Sequence, residues 1–186
     1  MINNNQEYKN TKIDAITLVR IRDFRFIRDI PYKIPLALDE PDHCCNGKHT
    51  ALYTLLEKTG LEVRPRVCLS SWKDFNVIPK DIRAIPHEDE VEHIYLEARI
   101  NGKWKRIDAT LDKALESVLP VNEWDGKNST PICVKPKHIY SPQDSLAIFY
   151  TELSDKDFKN DIKNNWQFYK AINDWFEDIR RGNCKK

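Results

Sequence analysis

Residues 91–100 alternate without a break. Ile94, Leu96, Ala98 and Ile100 share one face, and His93, Tyr95, Glu97 and Arg99 share the other, which is the period-two pattern of a strand with two unlike faces. Asn101-Gly102 follows, the dipeptide that favours a two-residue hairpin turn, and KWKRIDAT (103–110) reads as the returning strand. Upstream the period changes. Over about 14–30, Ile16, Val19, Phe24 and Ile27 recur with helical spacing behind Asp14, a candidate N-cap. Pro31 and Pro35 end that helix and open a loop over 31–43. A second helix is predicted over about 46–59, with Ala51, Leu52, Leu55 and Leu56 inward and Gly60 as its stop. Residues 63–69 read as a strand, and 72–90 as a charged, proline-bearing loop. Residues 111–150 give short pieces of no clear type. A long helix is predicted over about 154–181, with Phe158, Ile162, Trp166, Tyr169, Ile172, Trp175 or Phe176 and Ile179 along it and Gly182 at its end.

The elements divide into a mobile tail over 1–12, an α+β domain over 13–150, and an amphipathic helix over 151–186 packed on that domain. The chain has 186 residues, 40% hydrophobic and 32% charged, with a formal net charge of +1. Such a chain buries a core without staples. Its balanced charge gives no argument for nucleic acid or an anionic membrane as partner. No signal-like or membrane-spanning apolar run is present. The five cysteines (Cys44, Cys45, Cys68, Cys133, Cys184) are odd in number and irregular in spacing. That pattern points to a reducing, cytoplasmic setting rather than a disulfide framework.

The hairpin supports a geometric step. With a two-residue loop, Ile100 pairs with Lys103, Tyr95 lies opposite Asp108, and His93 opposite Thr110. His93 and Asp108 then share a face as diagonal neighbours on paired strands, about 7–8 Å apart between backbones and within side-chain reach. An imidazole and a carboxylate so placed hydrogen-bond, although half-solvated surface pairs of this kind are also common. Cys44 and Cys45 stand side by side where the second helix begins. A thiol at a helix N-terminus feels the positive end of the macrodipole and free N–H groups, both of which favour thiolate. Cys45 is the nearer of the two to the helix start, and its own N–H can contribute to an oxyanion hole. The remaining cysteines read as buried or inert. His43, Cys44, Cys45 and His49 cluster in sequence, but the spacing does not match familiar zinc patterns, and no metal or other cofactor is expected. His43, His49, His87 and His138 read as surface residues.

These residues resemble a family. CCNGKHTALYTLLEKTGLEVRPRV followed by HIYLEARINGKWKRIDATLD is similar to the transglutaminase-like superfamily, a branch of the papain-like cysteine enzymes. Cys45 matches the family's helix-opening Cys and Lys48 a Lys soon after it. His93 matches its strand-borne His, and Asp108, before x-Thr, its Asp; FIRDIPY (26–32) resembles the upstream segment. The match spans roughly residues 15–112. Cys44 replaces the small residue frequent before the Cys, and Ile94 the aromatic frequent after the His. The resemblance implies a papain/transglutaminase-like core, with a Cys-bearing helix packed on an antiparallel sheet carrying His and Asp. It also implies thiol chemistry on an amide or acyl group.

By these roles Cys45 is the nucleophile, His93 the proton shuttle and Asp108 its orienting group. Tyr32 and Trp72 are candidates for the oxyanion site or the substrate cleft, although packing is the commoner use of such aromatics. Trp104 is a similar cleft candidate. The expected activity is a cysteine-dependent hydrolase or acyltransferase acting on a peptide, a protein or a small amide. The competing expectation is a catalytically silent interaction module on the same fold.

Overall fold

A computed structural model of the protein describes residues 14–151 and 155–183. The predicted tail at 1–12 lies outside the described residues, as does Cys184. The chain is α+β, with a four-stranded antiparallel sheet and a long C-terminal helix.

Helix α1 (Ala15–Arg28) starts where the capping signal places it. Asp14 accepts hydrogen bonds from the Thr17 N–H and hydroxyl, each at 2.8 Å. Its inner stripe differs in part from the predicted one. Phe24 and Ile27 are buried, but Ile16 is 44% exposed, and Thr17 and Arg28 lie inside. A buried arginine is tolerated here because Asp29, Glu123 and the Asn122 carbonyl all accept from its guanidinium.

Helix α2 (Cys45–Glu57) buries Lys48, His49, Leu52 and Leu56, while Ala51 is exposed. The inward stripe therefore includes two polar residues that hydrophobic periodicity alone passes over. Lys48 is 1% exposed and directs its ammonium at three carbonyls, those of Arg28, Ile30 and Thr110, at 2.7–2.9 Å. Three protons meet three acceptors, so one side chain ties the end of α1, the start of α2 and the segment after the hairpin. Burial pulls the Lys48 pKa down to about 8.

Strands β1 (Val63–Ser71), β2 (Glu90–Ile100), β3 (Lys103–Ile107) and β4 (His138–Ile139) lie in the order β3-β2-β1-β4. The hairpin takes the predicted register, Ile100 opposite Lys103, with positive φ at Asn101 (51°) and Gly102 (75°) as a two-residue turn requires. Strand β3 stops at Ile107, three residues short of the predicted end. At Asp108 the backbone N–H turns to the Thr130 hydroxyl instead of the neighbouring strand. Strand β2 is buried on both faces from His93 to Ala98. The face that reads as polar is covered as well, and Glu97 accepts from Arg64 and Arg66. Trp104 sits under the Arg64 guanidinium, 3.9 Å from its ring centre, and is absent from the cleft.

The loop over 72–90 holds a 3-10 turn (Trp72–Asp74) and a one-turn helix α3 (Lys80–Arg83). Helix α4 (Pro142–Tyr150) runs against β1, and Ser145 accepts the Val67 N–H at 3.1 Å. Helix α5 (Asp155–Arg180) is followed by Gly182 at positive φ (75°). Trp166 was expected on its inner stripe but is 44% exposed. Asn165, Phe168, Ile172, Asn173, Trp175, Phe176 and Ile179 are the buried positions.

Two apolar cores result. One lies between α1, α2 and the sheet, around Phe24, Leu52, Leu56, Leu96 and Ile107. The other joins α5 to Trp72, Ile78, Leu115 and Leu119 at the sheet end where β2 begins. Polar clasps fix α5 there. The Asn173 amide exchanges two hydrogen bonds with the backbone of Ile34, at 2.8 and 2.9 Å. Arg180 forks onto buried Asp112, which also accepts the Tyr32 N–H.

Candidate active site

The first turn of α2 is shaped before any side chain of the site is considered. Asp42 accepts the Cys44 N–H at 2.9 Å. Its own carbonyl presses so closely on the helix that a Cβ at Gly47 would lie 1.9 Å from it. Glycine at 47 is thus required by the close approach of the 42–44 segment. Lys48 is the first residue of α2 whose N–H finds a helical carbonyl, that of Cys44. The N–H groups of Cys45, Asn46 and Gly47 precede it and have no acceptor within the helix.

His93 lies near the start of β2, and Asp108 one residue beyond β3, at the same end of the sheet. His93 Nε2 donates to Asp108 Oδ2 at 2.9 Å. The diagonal relation expected from the turn thus brings the two side chains into contact. The Asp108 carboxylate is fully buried and satisfied. Its Oδ1 accepts the Thr110 N–H at 3.0 Å and its Oδ2 the Cys133 N–H at 2.9 Å. Burial alone would raise its pKa, but the charge and hydrogen bond of His93 hold it well below the usual carboxylate range. For His93, burial opposes the charge. The anionic groups beside the ring outweigh it and raise the imidazole well above its ordinary value. Cys133 stays protonated near neutrality, so Asp108 is the anion that acts there.

Cys45 and His93 line the same pocket. The Cys45 pKa is lowered well below that of a free thiol, first by a hydrogen bond from Cys44 and then by His93, against the effect of burial. Cys44, half-buried, moves the other way, first because it keeps the proton it shares with Cys45 and then because it is partly desolvated. The arrangement therefore favours thiolate at Cys45 and imidazolium at His93.

Two residues join the site that the sequence reading assigned elsewhere. His49 was expected at the surface but is fully buried. Its Nδ1–H donates to the Cys45 carbonyl at 2.7 Å, and its Nε2 accepts the Ala109 N–H at 3.0 Å. Burial lowers its pKa, which fits this neutral, two-sided role. Its spacing from Cys45, four residues on a helix, was the available signal. Of the other histidines expected at the surface, His138 is exposed, whereas His43 and His87 are half-buried, with His87 stacked on Phe168.

Cys133 was expected to be inert packing. Its Sγ lies 3.7 Å from His93 Nε2. Burial and the nearby Asp108 push its pKa up to about 11, so it is a thiol at neutral pH. No sequence period links it to the hairpin, so nothing in the pattern pointed to it. His93, Asp108 and Cys133 place one donor atom each within 4.8 Å of one another, the single such trio among the described residues. A cation there would displace the hydrogen bonds already on the carboxylate. His43, Cys44, Cys45 and His49 form no such group among the described residues.

A narrow pocket of about 60 Å³ opens onto Cys45 and His93. Tyr32 and Trp72, two of the three cleft candidates, both line it. Tyr32 packs edge-on against Phe176 at 5.5 Å and Trp72 against Phe168 at 5.2 Å. Much of the remaining wall comes from α5 and from residues 111–134, the region that the sequence left unplaced. No helix among the described residues is long and apolar enough to cross a membrane. Compared with family models, curated proteins and solved structures, the chain matches none of them.

Proposed function

We propose that this protein is a cysteine-dependent hydrolase or acyltransferase that acts on an amide or isopeptide bond, on a fold of the papain/transglutaminase-like kind. The carrying observation is the His93–Asp108 hydrogen bond of 2.9 Å, buried beside a thiol at a helix N-terminus. With Nε2 held by Asp108, the ring's Nδ1 is the atom free to exchange a proton with Cys45 and the substrate.

The Cys45 thiolate attacks the carbonyl carbon, a C–S bond forms, and the carbonyl oxygen takes the electron pair. The Cys45 N–H, unused within α2, faces that oxyanion, with Tyr32 on the pocket wall as a second polar group. As the intermediate collapses, the C–N bond breaks and His93 gives its proton to the departing nitrogen. Water or an amine then attacks the thioester, His93 takes the acceptor's proton, and the C–S bond breaks to return the thiolate. Water as acceptor gives hydrolysis and an amine gives transfer.

The test is a stopped-flow burst with p-nitrophenyl acetate, followed by peptide mass spectrometry. One equivalent of p-nitrophenolate and an acetyl group on Cys45 are expected. Cys45→Ser should abolish the burst and Asp108→Asn should slow it by ~10²–10⁴-fold. A burst that survives Cys45→Ser, or no burst in the folded wild type, would contradict the proposal and favour a silent interaction module.

A further inference from the structure

We infer that the pocket beside Cys45 is an acyl-group site that selects an uncharged, apolar acyl chain, and that polar or anionic acyl groups are excluded from it. The inference rests on the assignment of Cys45 as nucleophile and names the substrate class which that nucleophile takes.

The chemistry of the wall carries it. Trp72, Phe75, Ile78, Leu119, Trp175 and Phe176 close around the space next to the thiol. Most of them belong to the second core, so the pocket is a gap in a hydrophobic core that opens at the nucleophile. No lysine, arginine, asparagine or glutamine lines it. A carboxylate or carboxamide entering it would lose its water and find no fixed partner, the costly case for a buried polar group. The polar groups that do reach it (Cys45, His93, Tyr32, Thr110 and Cys133) gather at the reacting end. Thr110 Oγ1 is buried there without a hydrogen-bond partner. Apart from the Cys45–His93 pair at the reacting end, the one charged lining residue is Glu92, exposed and acidic, which further disfavours an anionic acyl group. An apolar body with a few convergent polar groups is the ordinary make-up of a small-molecule site.

The experiment measures kcat/KM for the p-nitrophenyl esters of acetate, butanoate, hexanoate and monoglutarate. In each case the ester C–O bond breaks, the acyl group moves to Cys45 Sγ and p-nitrophenolate leaves. A gain of about fourfold per methylene is expected from acetate upward, until the chain outgrows the pocket. Monoglutarate should react more slowly than acetate. Val91→Trp, which narrows the wall, should erase the advantage of hexanoate over acetate. Val77→Asp at the 46% exposed rim should lower that same ratio without disturbing the core. A flat chain-length profile or a preference for monoglutarate, with Cys45 alkylation still dependent on His93, would overturn the pocket assignment alone. If no ester acylates Cys45 and its alkylation is slow, the nucleophile assignment falls and the pocket assignment with it.

Discussion

At the scale of single residues, the site is a set of groups whose proton affinities are pushed apart by their surroundings. His93 is raised and Asp108 lowered, and each shift is also a statement about stability. The His93 contribution is fully present below its ordinary value near 6.5 and is lost as pH climbs through the elevated folded value. The Asp108 contribution is present above its ordinary value near 3.8 and is lost as pH falls through the depressed one. Urea denaturation across pH should therefore show a plateau with a fall on each side, and His93→Ala should remove the alkaline fall. The His93–Asp108 contact was legible in the sequence because a two-residue turn fixes register, and register fixes which side chains share a face. Cys133 was not legible. Its place beside His93 depends on a long connection held by individual hydrogen bonds, such as that from its N–H to Asp108, and such bonds leave no periodic trace.

At the scale of elements, the position of Cys45 depends on how α2 begins and on how α5 is held. Gly47→Ala places a methyl group where the Asp42 carbonyl lies. The 42–44 segment must then retreat, so the Cys45 alkylation rate should fall together with a Tm loss worth about 1–3 kcal/mol. Arg180 is the cation on buried Asp112, which in turn holds the Tyr32 N–H. Arg180→Ala leaves a buried carboxylate unpaired and should cost about 3–5 kcal/mol, read as a fall in the denaturation midpoint. The types and most ends of α1, α2, β1, β2 and α5 followed from pattern, whereas α3, β4 and α4 did not. Other departures have local causes. Strand β3 ends early because Thr130 takes the Asp108 N–H. The stripe of α2 includes Lys48 because three carbonyls converge on its ammonium. On α5 the inner row passes through Asn165 and Phe168 instead of Trp166, because Asn165 caps the Glu88 N–H and Phe168 packs on Trp72.

At the scale of the whole molecule, two cores meet at one end of an antiparallel sheet, and Cys45, His93 and Asp108 sit where they meet. The first core, with α1, α2 and the hairpin, presents Cys45, His93 and Asp108. The second, built by α5 and the segments around Trp72 and Leu119, supplies the apolar wall. The first was readable because its periodicities are regular. The second was not, because its short segments are held by long-range contacts such as Asn173 with Ile34. The central claim is a thiolate at Cys45 paired with an imidazolium at His93. It is tested most directly by the rate of iodoacetamide alkylation at Cys45 against pH, read by peptide mass spectrometry in the wild type and in His93→Ala. The account predicts fast alkylation of Cys45 well below the free thiol pKa of about 8.5, with that advantage lost in His93→Ala. A Cys45 that reacts no faster than Cys44 and Cys133, or at the same rate in the variant, would contradict it.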